Sequence, residues 1–362
     1  MKNVLLIGEA YSGGVKTYID TIMMNEQKPS PVKIHALVSS ARLENQEIPG
    51  DGYLVEDFLS FGKSPWKLVK ALKAIHKIVK EKNIDVIHAN STFAGVLMYF
   101  YSLYNRKIFY IYTPHGYYSF KNMGKAKKMA IRLMERRING AANLVIHVSP
   151  SEEREAIDNK LVSSSKSIVI LNGVKDPETQ PVRKVGEPFT IVNLARVDDQ
   201  KNPFEFINIA RKVVEKSPNV QFIWAGNGEY LEEARARVKA CAMEENIMFV
   251  GFTTEKEKLL ERSDLYFSTS HYEGLPFAVV EAMSYKLPLL LTDIMGHSDL
   301  VDGKINGLLF KQNEDHVVYE FIQDLVENKE KWESMSLGSY QVFRERFHTQ
   351  QMLKSLSEVY AA

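Results

Sequence analysis

Eleven short apolar runs punctuate the 362-residue chain, and segments of helical period separate them. VLLIG (4–8), KIHALVS (33–39), DVIHAN (85–90), IFYIYT (108–113), LVIHVS (144–149) and SIVILN (167–172) fill the first half. TIVNLAR (190–196), QFIWAG (221–226), IMFVGF (247–252), LYFSTS (265–270) and PLLLTD (288–293) fill the second. These runs are continuous rather than alternating, so both faces of each strand must be covered. That is the signature of parallel sheets with helices on either side. Helical segments such as Asn202–Ser217 and Tyr230–Glu245 supply the cover. Two such sets predict an α/β chain of two doubly wound domains. The segment Asn172–Pro188 holds three prolines, two glycines and mixed charge, and reads as the linker between them. The last stretch, Lys331–Tyr360, reads as helix.

Hydrophobic residues at 45% and charged residues at 25% belong to a water-soluble chain. The lone Cys241 allows no internal disulfide and points to a reducing compartment. The apolar start ends at Glu9, too early for a signal peptide, and the longest apolar run, Phe93–Tyr104, is about half a membrane span. The expected location is therefore cytoplasmic. The net charge of +1 conceals an asymmetry. Residues 1–178 hold 25 Lys/Arg against 17 Asp/Glu, whereas residues 179–362 hold 21 against 28. A basic first half suits an anionic membrane, a nucleic acid or a phosphate-bearing substrate.

Four stretches carry chemistry. In HYEGLPFAVVEAMSYKLP (271–288), a strand runs into a loop with Gly274, and Pro276 suits the first turn of a buried helix. The free N–H groups at that helix start favour a phosphate. Glu281 lies one turn beyond Phe277 on the same face, where a carboxylate can accept from two adjacent hydroxyls of a ribose. Glu273, ahead of the helix, can do the same for a sugar beyond the phosphates. The plain alternative is an exposed helix edge and an ordinary loop acid. In NLARVDDQKNPFEF (193–206), Arg196 and Lys201 follow a strand's C-terminal end, where open α/β sheets bind ligands. They suit a diphosphate, or else are surface cations paired with Asp198 and Asp199. Gly13-Gly14, after the first strand, allows close backbone approach, although the spacing is not that of a P-loop. His115, in YTPHGYY, ends a strand and can donate to a substrate hydroxyl.

Two further segments, 64–83 and 121–137, interleave lysine and arginine with apolar residues at helical spacing. Each reads as a domain helix with a basic solvent face, and the pair in a basic half raises peripheral contact with an anionic membrane. No reader motif or stacking platform points to nucleic acid.

Taken in order, GG (13–14), PHG (114–116), NGV (172–174), the Arg196…Lys201 pair, GNGE (226–229), VGF (250–252) and EGLPFAVVE (273–281) resemble retaining glycosyltransferase family 4. The similarity spans nearly the whole chain, and the two glutamates with seven residues between them are its most specific part. The resemblance implies the GT-B fold, two Rossmann-like domains facing each other across a donor cleft. Residues 1–171 plus 345–362 would form the acceptor domain, with the final helix returning to it, and 172–344 the nucleotide-sugar donor domain. It implies that Arg196 and Lys201 contact the diphosphate, Glu281 the ribose and Glu273 the transferred sugar. Backbone at Leu275, Pro276, Phe277 and Ala278 would line phosphate and sugar, and Phe252 would lie near the base. His115 would touch the sugar, and Gly13-Gly14 would close over the donor. No metal and no cofactor are expected; the nucleotide-sugar, UDP-linked on this reading, is a substrate. The acceptor implied is a lipid-linked or membrane-associated glycan of capsule, exopolysaccharide or envelope synthesis, handled at the inner face of the membrane. Ala195 stands where glycine is usual, Asn90 where histidine is frequent, and Asp299 where glutamate is usual. A nucleotide-sugar epimerase of the same architecture and a non-catalytic partner subunit are the competing readings.

Overall fold

The computed structural model describes residues 1–9, 11–24, 32–39, 53–55, 64–121, 123–179 and 188–362. Residues 180–187 of the expected linker and Asn122 of the second basic segment lie outside them. The chain divides into two compact units, Met1–Asn172 with Thr349–Ala362, and Gly173–His348.

In unit 1 the order is β1 (Lys2–Gly8), α1 (Gly13–Met24), β2 (Val32–Val38), β3 (Tyr53–Val55), α2 (Pro65–Glu81) and β4 (Val86–Asn90). Then come α3 (Thr92–Tyr104), β5 (Phe109–Thr113), α4 (Lys125–Ala141), β6 (Leu144–His147), α5 (Pro150–Asp158) and β7 (Ser167–Val169). Unit 2 begins with β8 (Phe189–Leu194), α6 (Pro203–Lys216), β9 (Val220–Ala225), α7 (Leu231–Ala240), β10 (Ile247–Gly251) and α8 (Lys256–Glu261). It continues with β11 (Leu265–Ser268), α9 (Phe277–Ser284), β12 (Leu289–Thr292), β13 (Gly307–Phe310), α10 (Asp315–Glu327) and α11 (Lys329–Arg346). The last helix, α12 (Thr349–Ala361), belongs to unit 1.

All eleven apolar runs are strands. The sheets are parallel, with orders β3-β2-β1-β4-β5-β6-β7 and β10-β9-β8-β11-β12-β13. Two strands escaped the pattern, and both are short. β3 has three residues. β13 opens on Gly307, a poor strand former; its Cα passes so close to β12 that a Cβ there would lie 2.2 Å from the Leu289 carbonyl oxygen.

The expected helix over Lys331–Tyr360 is two helices. The break at Phe347–His348 is where the chain leaves unit 2. Val174 bridges His348, and the Val174 N–H donates to the Phe347 carbonyl at 2.9 Å, so the two strands of chain that bound unit 2 are bonded to each other. α12 lies on the β1–β2 side of the unit 1 sheet. It is tied there by Tyr360, whose hydroxyl lies 2.7 Å from His88 Nδ1 inside the core. On the opposite face, α2, α3 and α4 share one core with inward residues of β1, β4 and β5. In unit 2, Phe206, Phe222, Trp224, Phe249 and Phe267 form an aromatic core, with Trp224 stacked on Phe249 at 5.5 Å.

Candidate active site

In each sheet the strand order reverses once, between β1 and β4 in unit 1 and between β8 and β11 in unit 2. The crevice beyond the carboxyl ends of such a strand pair is the natural ligand site of an open α/β sheet. The loops that leave β8 and β11 carry Arg196, Lys201 and Glu273.

These two loops are bound into one body. The Thr269 hydroxyl lies 3.1 Å from the Lys201 carbonyl oxygen and 2.9 Å from that of Asn202. Gln200 Nε2 donates to the Tyr272 carbonyl, and the His271 N–H donates to that of Gln200. Asn202 adopts the left-handed conformation (φ 53°) just before Pro203 starts α6, which turns Lys201 back toward β11. Lys201 Nζ then lies 2.5 Å from Glu273 Oε1, both side chains largely buried. Burial by itself would raise the Glu273 pKa; Lys201, with help from Ser270, overrides it and holds the carboxyl below its ordinary value. His297 lies in the same field. Burial keeps its imidazole neutral down to about pH 4, so Lys201 is the charge that counts.

Arg196 behaves differently. It is two-thirds exposed and pairs with Asp198 at 2.9 Å, as the plain surface-cation alternative has it; Lys201 does not follow that alternative. Close packing shapes the loop floor. A Cβ on Gly226 would lie 2.0 Å from the Ala195 carbonyl oxygen, and one on Gly228 2.2 Å from that of Val197. Asn227 Oδ1 accepts from the Phe252 N–H at 2.9 Å, fixing the VGF turn with Phe252 half exposed.

Helix α9 starts at Phe277, one residue later than the sequence suggests. Pro276 is its N-cap in extended conformation, and no side chain caps the helix. Leu275 and Phe277 bury their side chains, leaving backbone at the helix start, and Ala278 is half-buried. Glu281 lies a turn further on. Its Oε1 is 2.7 Å from Lys256 Nζ, a partner the sequence did not suggest, since 25 residues and a strand separate them. Beside this pair lies a cavity of about 520 Å³, walled by Glu281 of α9 and Tyr285 just after it, Lys256 and Leu260 of α8, and the 174–179 segment.

In unit 1, His115 lies two residues beyond β5 with φ 54°, and Gly116 follows at φ 92°. His115 Nε2 lies 3.1 Å from Asn90 Oδ1, and its ring meets Tyr18 edge-on at 4.6 Å. Burial holds its pKa down to about 3, so the imidazole is neutral. A buried carboxylate secures this loop: Glu152 accepts from the Gly116 N–H at 2.6 Å and from the Val148 N–H at 3.0 Å. Ser149 caps α5 by accepting from the Glu152 N–H, while the Glu152 side chain holds the His115 loop. Gly13 (φ 52°) and Gly14 are exposed at the start of α1, beyond β1. No group of three His, Cys, Asp or Glu among the described residues is arranged to hold a metal ion.

The sequence of residues 174–342 matches the family described as glycosyl transferases group 1, and that of residues 12–176 matches glycosyltransferase family 4. An O-antigen biosynthesis glycosyltransferase of Escherichia coli, WbnH, is 30% identical over 249 residues, 68% of this chain and 69% of the relative. The chain belongs to this glycosyltransferase family. Another Escherichia coli relative of this glycosyltransferase is a UDP-Gal:alpha-D-GlcNAc-diphosphoundecaprenol alpha-1,3-galactosyltransferase. It is 24% identical over 72% of the chain and 70% of its own length. Among solved structures, HepE of Anabaena in complex with UDP and glucose superposes with a TM-score of 0.81 at 20% identity, covering all of both chains. Sucrose-phosphate synthase of Thermosynechococcus elongatus gives 0.82 at 14% identity, over 99% of this chain and 98% of that one. The fold is therefore GT-B, as the motif order implied.

Proposed function

We propose that this glycosyltransferase moves a sugar, with retention of anomeric configuration, from a UDP-sugar to a hydroxyl of a lipid-linked glycan in polysaccharide synthesis. The observation that carries the reading is the Lys201–Glu273 pair at the switch point of the unit 2 sheet, with the uncapped start of α9 beside it. On this reading the diphosphate lies against Arg196, Lys201 and the backbone of Leu275–Ala278. Glu273 accepts from the transferred sugar. His115 and the Gly13-Gly14 backbone contribute to sugar and donor.

Charge divides the site. The cavity beside Glu281 is walled by Asp176, Glu178, Glu257, Glu261 and Glu281 against Lys175 and Lys256. An acidic wall repels phosphate and accepts the hydroxyls of a neutral nucleoside, and its volume falls in the range of small-ligand sites. Binding of the ribose would replace the Lys256 contact on Glu281. In the transfer itself, the acceptor oxygen bonds to the anomeric carbon on the face the diphosphate leaves, as the carbon–oxygen bond to the diphosphate breaks. The acceptor proton passes to the departing phosphate oxygen. Lys201 and Arg196 stabilise the charge that builds there. The names of the relatives support the UDP donor and the lipid-linked acceptor.

A panel of nucleotide sugars in a thermal-shift screen, followed by turnover with and without a lipid-linked acceptor, tests the reading. A UDP-sugar should stabilise the protein and be consumed faster with acceptor. Interconversion of the free donor without acceptor would favour an epimerase, and no stabilisation by any UDP-sugar would reject the donor. Glu281→Ala removes two charge-assisted hydrogen bonds to the ribose. It should raise the donor KM about 10- to 100-fold while kcat falls far less; steady-state kinetics with varied donor reads this directly.

A further inference from the structure

We propose that Asn90 is a positioning residue for sugar transfer: it fixes His115 in the tautomer with the hydrogen on Nε2, so that the ring meets the sugar with an accepting Nδ1. The inference rests on the reading that His115 contacts the transferred sugar.

Asn90 is the last residue of β4, at the point where the strand order of the unit 1 sheet reverses. It is wholly buried. A buried amide must satisfy both its ends, and here chemistry tells the two ends apart. Asn90 Nδ2 lies 3.1 Å from the His88 carbonyl oxygen. That oxygen can only accept, so the amino end of the amide belongs there. The carbonyl end, Oδ1, is then the atom 3.1 Å from His115 Nε2. An amide oxygen has no hydrogen to give, so Nε2 donates to it. Burial keeps the His115 imidazole neutral, with its pKa held down to about 3. A neutral imidazole carries one N–H, and with that hydrogen on Nε2 the other nitrogen is an acceptor. Among the described residues no group bonds Nδ1. The sequence suggested that His115 donates to a substrate hydroxyl. Asn90 makes it the acceptor from one.

The backbone on both sides is held to keep this pair together. Ser91, next to Asn90, has φ 98°, and His115 has φ 54°. Both lie in the left-handed region, unfavourable for a residue with a side chain, and such strain gathers where function needs a fixed geometry. Each is secured by its surroundings. The Ser91 N–H donates to the Thr113 carbonyl at 3.0 Å, and the Ser91 hydroxyl caps α3. Tyr18 packs edge-on against the His115 ring, and Glu152 holds the next N–H, that of Gly116. Asn90 sets which nitrogen of this held ring carries the hydrogen.

Long-range proton–nitrogen NMR of the full chain with isotope-labelled histidine, near neutral pH and without ligand, tests the assignment. The His115 signals, identified by their loss in His115→Gln, should show a protonated Nε2 and a bare Nδ1. Asn90→Leu removes both amide bonds at similar volume. In this variant the two tautomers should mix, and kcat/KM for sugar transfer should fall about tenfold, the worth of one hydrogen bond. In a His115→Ala background the same substitution should add no further loss, because its effect passes through the ring. A hydrogen on Nδ1 of the native protein overturns the proposal. So does a folded Asn90→Leu with native kcat/KM, or a loss from Asn90→Leu that is equal with and without His115. If Asn90→Leu does not fold, Asn90→Ser takes its place in the cycle, and the native spectrum decides the tautomer in either case. If the native protein transfers no sugar, the donor reading fails and the role in transfer with it, while the spectrum still accepts or rejects the tautomer.

Discussion

Replacing Lys201 with alanine should lower kcat/KM for sugar transfer by about 10²- to 10³-fold, the loss typical of removing one preorganised group from developing transition-state charge. The size of the effect follows from how Lys201 is held. Its loop is bonded to the β11 loop through Thr269, Gln200 and His271, so the ammonium is fixed before any ligand arrives. Arg196 is two-thirds exposed and paired with Asp198, so it cannot move into the vacated place without breaking that pair. The substitution also leaves Glu273 buried without its cation. Burial then dominates, the carboxyl pKa rises, and the loss of a buried partner costs up to about 3–5 kcal/mol. Part of Lys201 reaches solvent, which places the cost toward the lower end. Circular dichroism should show an intact fold with a reduced melting temperature, and UDP release with acceptor present should show the kinetic loss. Near-native turnover in a folded variant would remove Lys201, and with it this site, from the mechanism.

Acidification should destabilise unit 1 steeply between about pH 6.5 and 4. His88 and His147 are both fully buried there, and burial depresses their pKa values to about 3 and about 4, as it depresses that of His115 to about 3. In the unfolded chain each takes a proton near pH 6.5, whereas the folded chain refuses it until the depressed value is reached. Stability is therefore complete above about pH 6.5 and falls by about 1.4 kcal/mol per pH unit for each histidine. Three histidines give about 4 kcal/mol per pH unit, a large share of an ordinary domain's total of about 5–15 kcal/mol. Neutrality is built into their contacts. His88 sits 2.7 Å from both the Tyr360 and Thr113 hydroxyls, and His147 bridges Tyr117 and Ser167. Glu135 acts in the opposite sense, because burial raises its pKa and acid favours its folded form. Unit 2 carries one such histidine, His297, so its loss should be about a third as steep until Glu273 begins to protonate. Chemical denaturation monitored from pH 7.5 to 4.5 reads the slope, and His88→Gln with His147→Gln should flatten it. A stability that stays level between pH 7 and 5 would contradict this account.

Much of the architecture was legible because its cause is local. Continuous apolar runs can be buried on both faces only in a parallel sheet, and each of the eleven became a strand. The exceptions show the limit. β13 begins at Gly307 because another strand's backbone passes too close for a side chain, and nothing in GLLF advertises that neighbour. The helix over Lys331–Tyr360 read as continuous because its pattern is. It breaks at His348 because Val174, far away in the chain, claims that backbone.

Spacing along one element was enough to bring Glu273, the start of α9 and Glu281 into a single line of argument, and the strand ends marked Arg196, Lys201 and His115 as candidates. Pairing was beyond it. That Lys201 meets Glu273 while Arg196 meets Asp198, that Lys256 engages Glu281, and that Glu152 holds the Gly116 N–H are all contacts across 25 residues or more, apart from the local Arg196–Asp198 pair. The sequence alone determined which residue types stand at the strand ends, since period and turn chemistry are short-range. Tertiary structure alone decided which of those charges meet, because a buried ion finds its partner through packing of elements that the chain itself keeps far apart.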